Sequence, residues 1–327
     1  ELILSYYNDS NFVAAEKYAK YGMEHFPENS TDWLALLADV YDDTKRTPEA
    51  LKAYDTILVQ KPYDYLTHFN KGVSLFRAER YDEAALCFQK CVMINPYYTS
   101  GHYFLGKISL LKGNLVPAIM SFTTNLLISP GNRYQRNSIS FLTSIAEVNT
   151  DVITFLQKYK VGKEDNFDEI QDIITSKIAL DKKYKLKVDL EDPIVRQIQV
   201  LAEKLEYNAN DKGFWMQYYV PMFKRIWDNK RFEASVNYMF SELDIKKVKD
   251  FVKKEKRDVE AMSTDVVDYL SEIRATQELT FSKREGTKMR LYSQNYNIIG
   301  RGEYGLNSKK ESILVGVWEF YHKNGRL

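Results

Sequence analysis

Cysteine, proline and glycine are scarce in this sequence. Its 327 residues include only two Cys, eight Pro and fourteen Gly. So little Pro and Gly argues against a loop-rich or disordered chain, and two Cys cannot form a disulfide framework. Cys87 and Cys91 lie four residues apart on one predicted helix, and we interpret them as small buried hydrophobes.

Excess charge of one sign and long apolar runs are also lacking. The formal net charge is +1, whereas nucleic-acid binders usually carry a marked basic excess. No run of 18 apolar residues occurs, so no membrane-spanning helix is predicted. Nucleophile elbows, zinc-protease motifs, phosphate loops and dinucleotide fingerprints are absent too. We therefore predict no enzyme, no cofactor, no metal site and no nucleic-acid partner.

A repeat fills the first part of the chain. Prolines recur at a nearly constant interval, at Pro27, Pro62, Pro96 and Pro130. A small residue lies twelve positions before each of them, at Ala15, Ala50, Ala84 and Ala118. Proline ends a helix because it lacks an N–H and clashes with the preceding turn. The spacing predicts four stacked two-helix units over 1–132, the first of them incomplete.

The best copy, 65–98, contains Gly72, Tyr81 to Ala84, Phe88 and Asn95-Pro96. These residues resemble the tetratricopeptide repeat, a helix-turn-helix unit of about 34 residues. The resemblance implies a mainly α fold, with an α-solenoid at the start of the chain. Because the pattern is already helical at Glu1, we expect further residues upstream. His68 and His102 occupy equivalent repeat positions, and we interpret both as packing residues.

In that family the first helix of each repeat lines a groove that holds a peptide or partner protein. Carried over by position, the groove residues are Leu66, Phe69, Val73, Phe76, Arg77, Ser100, Tyr103, Lys107, Leu110 and Leu111. The alternative is that several of them pack against a following helix. Leu34, Ala38, Ser100 and Phe104 stand where one subfamily places the polar and cationic residues that grip chaperone tails. We therefore expect no chaperone-tail binding.

After Pro130 the repeat fades. We predict degenerate capping helices over 133–161 and a helical domain over 167–280. Six aromatic residues lie within 214–227, where Pro221 interrupts a helix. We interpret them as an aromatic core, with a partner-binding hot spot as the alternative. Charges of both signs interleave over 241–260, which indicates a solvated, ion-paired surface.

At the C-terminus the apolar period changes from helical to two. Met289–Ile299 and Ile313–Tyr321 read as strands, and Asn324-Gly325 as a tight turn, so 288–327 is predicted to be a small antiparallel β-hairpin segment. Residues 316–327 resemble a MORN repeat, and the combination resembles bacterial proteins of the Bacteroidetes type. That resemblance implies the cell envelope or periplasm rather than the cytoplasm.

Taken together, the sequence predicts a non-enzymatic scaffold that binds a protein or peptide, within a larger complex. Two alternatives stay open. One is an enzyme with an unrecognised site in the helical domain 167–280. The other is a binding protein associated with peptidoglycan or the envelope, which rests on family analogy because fold does not dictate function.

Overall fold

The computed structural model describes residues 2–27, 30–158, 167–276, 281–285, 288–292, 298–306 and 312–320. The chain is mainly helical, with one small antiparallel sheet near its C-terminus. This confirms the predicted fold class. Two compact units divide the chain: residues 1–74 with 275–327, and residues 75–274. The end of the predicted capping segment, 159–161, lies outside the described residues.

Eight helices form the predicted repeats. They are α1 (Leu2–Asn8), α2 (Phe12–His25), α3 (Ser30–Asp43), α4 (Thr47–Gln60), α5 (Tyr65–Arg77), α6 (Tyr81–Ile94), α7 (Thr99–Leu111) and α8 (Leu115–Ile128). Each repeat proline stands two residues after a second helix ends, because the residue before proline disfavours the helical region. The turns inside the repeats also recur. Each has one residue of positive φ, at Ser10, Lys45, Glu79 and Gly113.

Close contact between the two helices of a repeat depends on glycine. A Cβ added at Gly106 in α7 would stand 2.7 Å from the ring of Phe122 in α8. The Phe122 side chain is fully buried, as is Ala118 on the same helix. In the other unit a glycine sets the distance between successive repeats: a Cβ added at Gly22 of α2 would stand 2.7 Å from the Trp33 ring of α3. Small residues therefore set the distance between paired helices.

The other described residues of the second unit are mainly helical. They include α9 (Gln135–Glu147), α10 (Thr150–Lys158), α11 (Asp168–Thr175), α12 (Pro193–Lys204), α13 (Phe214–Tyr218), α14 (Val220–Asp228), α15 (Phe232–Met239), α16 (Lys246–Lys254) and most of α17 (Lys256–Thr276). Asp192 caps α12 by accepting a hydrogen bond from the Ile194 amide at 2.8 Å. The side-chain oxygen thereby satisfies one donor of the first turn.

These later helices cover the second helices of the last two repeats. Every residue of α8 from Leu115 to Leu127 is buried, and both α11 and α15 pack against that helix. The Tyr218 hydroxyl donates to the Val92 carbonyl of α6 at 2.9 Å. The Tyr269 hydroxyl donates to the Tyr218 carbonyl at 2.7 Å. The outer side of α8 and the C-terminal end of α6 thus form an internal seam of the second unit.

Two sequence interpretations concern buried side chains. Cys87 and Cys91 are both buried, as predicted. Within 214–227, four aromatic rings are at most 8% exposed: Trp215, Tyr218, Tyr219 and Phe223. This confirms an aromatic core, because side chains with so little exposure have no surface left for a partner.

The charged segment 241–260 is solvated and ion-paired, as predicted. Lys246 contacts Asp250 at 2.7 Å, and Lys249 contacts Asp244 at 2.7 Å. All four side chains are more than half exposed. Such exposed pairs contribute little to stability.

Four antiparallel strands form the sheet in sequence order. They are β1 (Phe281–Glu285), β2 (Lys288–Tyr292), β3 (Ile298–Leu306) and β4 (Ser312–Phe320). The single strand predicted over Met289–Ile299 was wrong, because β2 and β3 are separate pairing partners. Residues 293–297 and the predicted Asn324-Gly325 turn lie outside the described residues.

A glycine-tryptophan contact marks the pairing of β3 and β4. The Trp318 indole lies on Gly302, where an added Cβ would be 2.6 Å from the ring. Its Nε1 donates to the Glu303 carbonyl at 2.8 Å. The register shifts between Arg301 and Glu303, and Gly316 on the opposing strand has a φ of +67°. The bulge therefore aims the indole across the neighbouring strand.

Among the described residues, no single helix is long and apolar enough to cross a bilayer; α9 and α10 meet those criteria only as a pair, bent by 78°.

Candidate protein-binding surface

The ten predicted groove residues differ in exposure. Phe69, Ser100, Tyr103 and Leu110 are buried, at 6%, 4%, 4% and 4% exposed. Four more are half-buried: Val73, Phe76, Lys107 and Leu111. Leu66 and Arg77 are exposed. Leu66, Phe69 and Val73 belong to the first unit, and the other seven residues belong to the second.

Tyr103 and Ser100 pack against the next helix. The Tyr103 ring stacks on Tyr134 with centroids 4.0 Å apart, and its hydroxyl accepts from the Asn137 amide at 3.3 Å. The Ser100 hydroxyl accepts from the Arg133 guanidinium at 3.1 Å. These two residues therefore fit the alternative interpretation, in which predicted groove residues pack against a following helix. Both lie beneath the accessible surface.

A contiguous patch remains accessible above them. We call Phe76, Phe104, Lys107, Arg133 and Tyr134 the aromatic-cation patch; each is half-buried or exposed. Phe104 meets Phe76 edge-on at 5.4 Å and Tyr134 at 6.1 Å. The Lys107 ammonium lies 4.7 Å from the Phe76 centroid, and the Arg133 guanidinium lies 4.7 Å from the Tyr134 centroid. The patch therefore joins α5, α7 and the start of α9.

Lys107 has an unusual environment for a cation. Besides Phe76 it faces Phe104 at 5.7 Å and Tyr103 at 5.9 Å. Burial lowers the pKa of its ammonium group. Ring faces attract a cation by about 0.5 to 2 kcal/mol, which offsets only part of the lost hydration. The aromatic rings thus hold a charged group at a partly dry surface.

Sequence reasoning placed Phe76 and Lys107 in the groove but missed Arg133 and Tyr134. Tyr134 stands one repeat length after Ser100, and Asn137 stands one repeat length after Tyr103. The structure brings Tyr134 and Asn137 into contact with Tyr103, where α9 packs against α8.

Both repeat histidines are packing residues, as predicted. His68 and His102 are 6% and 0% exposed. Nε2 of each is hydrogen-bonded to the carbonyl oxygen of the proline six residues earlier, at 2.9 Å for Pro62 and 2.8 Å for Pro96. The shared bond ties the first helix of one repeat to the end of the preceding repeat.

The helical domain has a small hollow between α15 and α16. It measures about 170 Å³ and is lined by Asp189, Leu190, Glu233, Asn237, Lys247, Asp250, Phe251 and Lys254. Small-molecule sites usually start near ~300 Å³. In the described ranges no group of three or more His, Cys, Asp or Glu is placed to hold a metal ion. This hollow therefore gives the enzyme alternative no support.

One comparison with known families supports the repeat assignment at residues 65–98. The tetratricopeptide repeat family matches residues 65–98. The solved structure titled "Crystal structure of MamA" aligns with 48% of this chain and 92% of its own, at 18% identity and a TM-score of 0.40. No curated protein matches the sequence. The chain contains a tetratricopeptide repeat at residues 65–98.

Proposed function

We propose that this protein is a non-enzymatic scaffold that holds a peptide or partner protein on the aromatic-cation patch. The proposal rests on one observation: the chain's own later helices bury one side of the last repeats and leave the other side accessible. The outer side of α8 is sealed by the chain's own helices. On α7, Phe104 and Lys107 stay half-buried on the opposite side. That side is where a partner has room to bind.

The chemistry of the patch suits a protein partner. Aromatic and arginine side chains are enriched where binding energy concentrates, because they combine large apolar area with polar or charged atoms. Tyr134 and Phe104 are also held by rings beneath them, Tyr103 and Phe88, with centroids 4.0 and 5.1 Å apart. Prearranged rings lose little entropy on binding. In the first unit, Leu66 and Val73 are proposed as contacts on repeat position alone.

A role in a cell-envelope assembly is also part of the proposal. It rests on the resemblance of the C-terminal segment to MORN repeats, combined with the tetratricopeptide repeats. In the structure, Trp318 of that segment packs on Gly302 of the neighbouring strand β3. Its test is whether the partner captured from native cells fractionates with the envelope.

The patch predicts the effect of removing two of its rings. The binding partner is first captured from native cells and purified. We expect Phe76→Ala combined with Tyr134→Ala to lower the affinity for this partner by at least about tenfold, near 1.4 kcal/mol. Both rings are half-buried, so the fold should persist. Isothermal titration calorimetry measures the affinity, and circular dichroism checks the helix content.

A control removes two apolar side chains that are more exposed, elsewhere in the same unit. Leu86 is 59% exposed on α6 and Ile153 is 43% exposed on α10. We expect Leu86→Ala combined with Ile153→Ala to bind as the wild type does. If the Phe76/Tyr134 variant instead retains its partner within about twofold while properly folded, the binding site lies elsewhere on the chain.

A further inference from the structure

Acidic residues are missing from one long part of the chain. Between Glu83 and Glu147, residues 84 to 146 contain no Asp or Glu, a stretch of 63 positions. At the chain's average of 45 acidic residues in 327, about nine would be expected there. Burial accounts for thirteen of the fourteen residues of α8 and for nine of the thirteen residues of α7, but α9 and the exposed side of α6 lie in the same stretch. Cations persist across it, at Lys90, Lys107, Lys112, Arg133 and Arg136.

The cations of the aromatic-cation patch therefore have few internal partners. Lys112, at the end of α7, pairs with Asp82. In the ranges the structure covers, Lys107 meets only aromatic rings, and Arg133 meets the Ser100 hydroxyl and the Tyr134 ring. Neither forms an ion pair there. Paired charges are the usual arrangement for partly buried cations, because losing water without a counter-charge is costly.

We infer that the aromatic-cation patch takes an acidic peptide segment of a partner protein, with carboxylates placed on Lys107 and Arg133. This inference rests on the proposed function and narrows its partner class. An incoming carboxylate would supply the counter-charge that the chain itself omits, and it would form charge-assisted hydrogen bonds with both groups. The rings between the two cations, Tyr134 and Phe104, would contact apolar side chains of the same segment.

The distance between Lys107 and Arg133 determines how far apart the acidic residues of the peptide should be. The Arg133 guanidinium contacts Ser100, seven residues before Lys107 on α7. Seven residues span about 10 Å along a helix. An extended peptide covers that length in roughly three residues. We expect two acidic residues some two to four positions apart, since both cations have long flexible stems.

The test selects random peptides, displayed on phage, with the full chain as bait. Peptides enriched on the wild type should carry more Asp and Glu than the unselected library. A synthetic copy of the best peptide should bind at least about tenfold more weakly to Lys107→Met combined with Arg133→Gln, and equally weakly when its acids become amides. The control Lys90→Met combined with Lys253→Gln loses the same charge from exposed positions and should bind as the wild type does.

Three outcomes would overturn the inference. Selected peptides without acidic enrichment, yet lost on the Phe76/Tyr134 variant, would leave the scaffold function intact and remove the acidic partner. Acidic peptides that bind both charge variants equally would place their site off the patch. Patch-dependent binding of an oligothymidylate strand or of phosphatidylserine vesicles, without peptide binding, would assign the cations to phosphate chemistry.

Discussion

His102 shows how a single buried polar side chain connects the repeats to the later helices. Its side chain is 0% exposed. Nε2 lies 2.8 Å from the Pro96 carbonyl and Nδ1 lies 2.7 Å from the Tyr219 hydroxyl. A carbonyl oxygen only accepts, so Nε2 carries the proton and Nδ1 accepts from the tyrosine. Burial lowers the pKa of His102 to about 4, which keeps the ring neutral.

This environment predicts an acid-sensitive fold. The folded pKa lies below the unfolded value near ~6.5, so the unfolded chain binds a proton more readily as pH falls. The stability that His102 contributes is fully present above about pH 6.5 and declines as the pH falls toward 4. Lowering the pH from about 7.5 to about 5 reduces the His102 contribution to the free energy of unfolding by about 2 kcal/mol. Urea unfolding followed by tryptophan fluorescence should show this decline.

The matched variant is His102→Gln, which can donate to Pro96 and accept from Tyr219 without titrating. Carboxylates lose stability over the same range in both proteins, so the difference between them isolates the histidine. An equal pH dependence in the two proteins would mean that His102 is not held neutral by burial.

Residue roles were predictable where they follow from repeat position. His68 and His102 could be identified as packing residues because they share one place in successive copies. The burial of Tyr103 could not be predicted, since it depends on Tyr134 and Asn137, which come after the last repeat proline. The sequence placed Lys107 in the groove, but its neighbours Phe76 and Phe104 act together only once two helices are in contact.

At the scale of elements, α7 and α8 show a conflict between helix propensity and packing. Alanine normally favours a helix interior over glycine by about 1 kcal/mol. At Gly106, however, a methyl group would stand 2.7 Å from the Phe122 ring, and that ring is 0% exposed. The two helices would have to move apart. We expect packing to outweigh propensity.

Gly106→Ala should therefore destabilise the protein by about 1 to 3 kcal/mol, as overpacked cores do. Thermal unfolding measures the loss. Adding Phe122→Leu creates room for the methyl group, so the double variant should lose less than the two single variants combined. Simple additivity would mean that the two side chains do not compete for space.

Element boundaries were predictable to the extent that local chemistry sets them. The four prolines placed the ends of α2, α4, α6 and α8, because their effect is confined to the backbone next to them. Strand β1 could not be predicted, since Phe281–Glu285 lacks apolar alternation and gains its hydrogen bonds only by pairing with β2. Pairing is a property of two segments, and a single segment does not reveal it.

On the scale of the whole molecule, α8 explains why the second unit contains more than repeats. Second helices of a repeat array commonly keep a polar outer side in water. In α8 thirteen successive residues are buried, and an all-round apolar helix is stable only inside a core. The uncharged, largely apolar composition of α8 already indicates a buried helix. The sequence could not reveal which segments cover it, because α11 and α15 lie well beyond the last repeat along the chain.

The packing of α11 and α15 on α8 predicts how the protein behaves when the chain is truncated. A chain ending at residue 158 keeps every repeat helix but loses α11 to α17, so the outer side of α8 would face water. Exposed apolar patches of this kind promote association. We expect that chain to elute as aggregates in size-exclusion chromatography with light scattering, and to bind the dye ANS, which reports exposed apolar surface. A chain ending at residue 276 keeps the cover and should remain dispersed. A well-dispersed shorter chain, helical and without dye binding, would contradict the role given to the later helices, because α8 would then be stable with its apolar side in solvent.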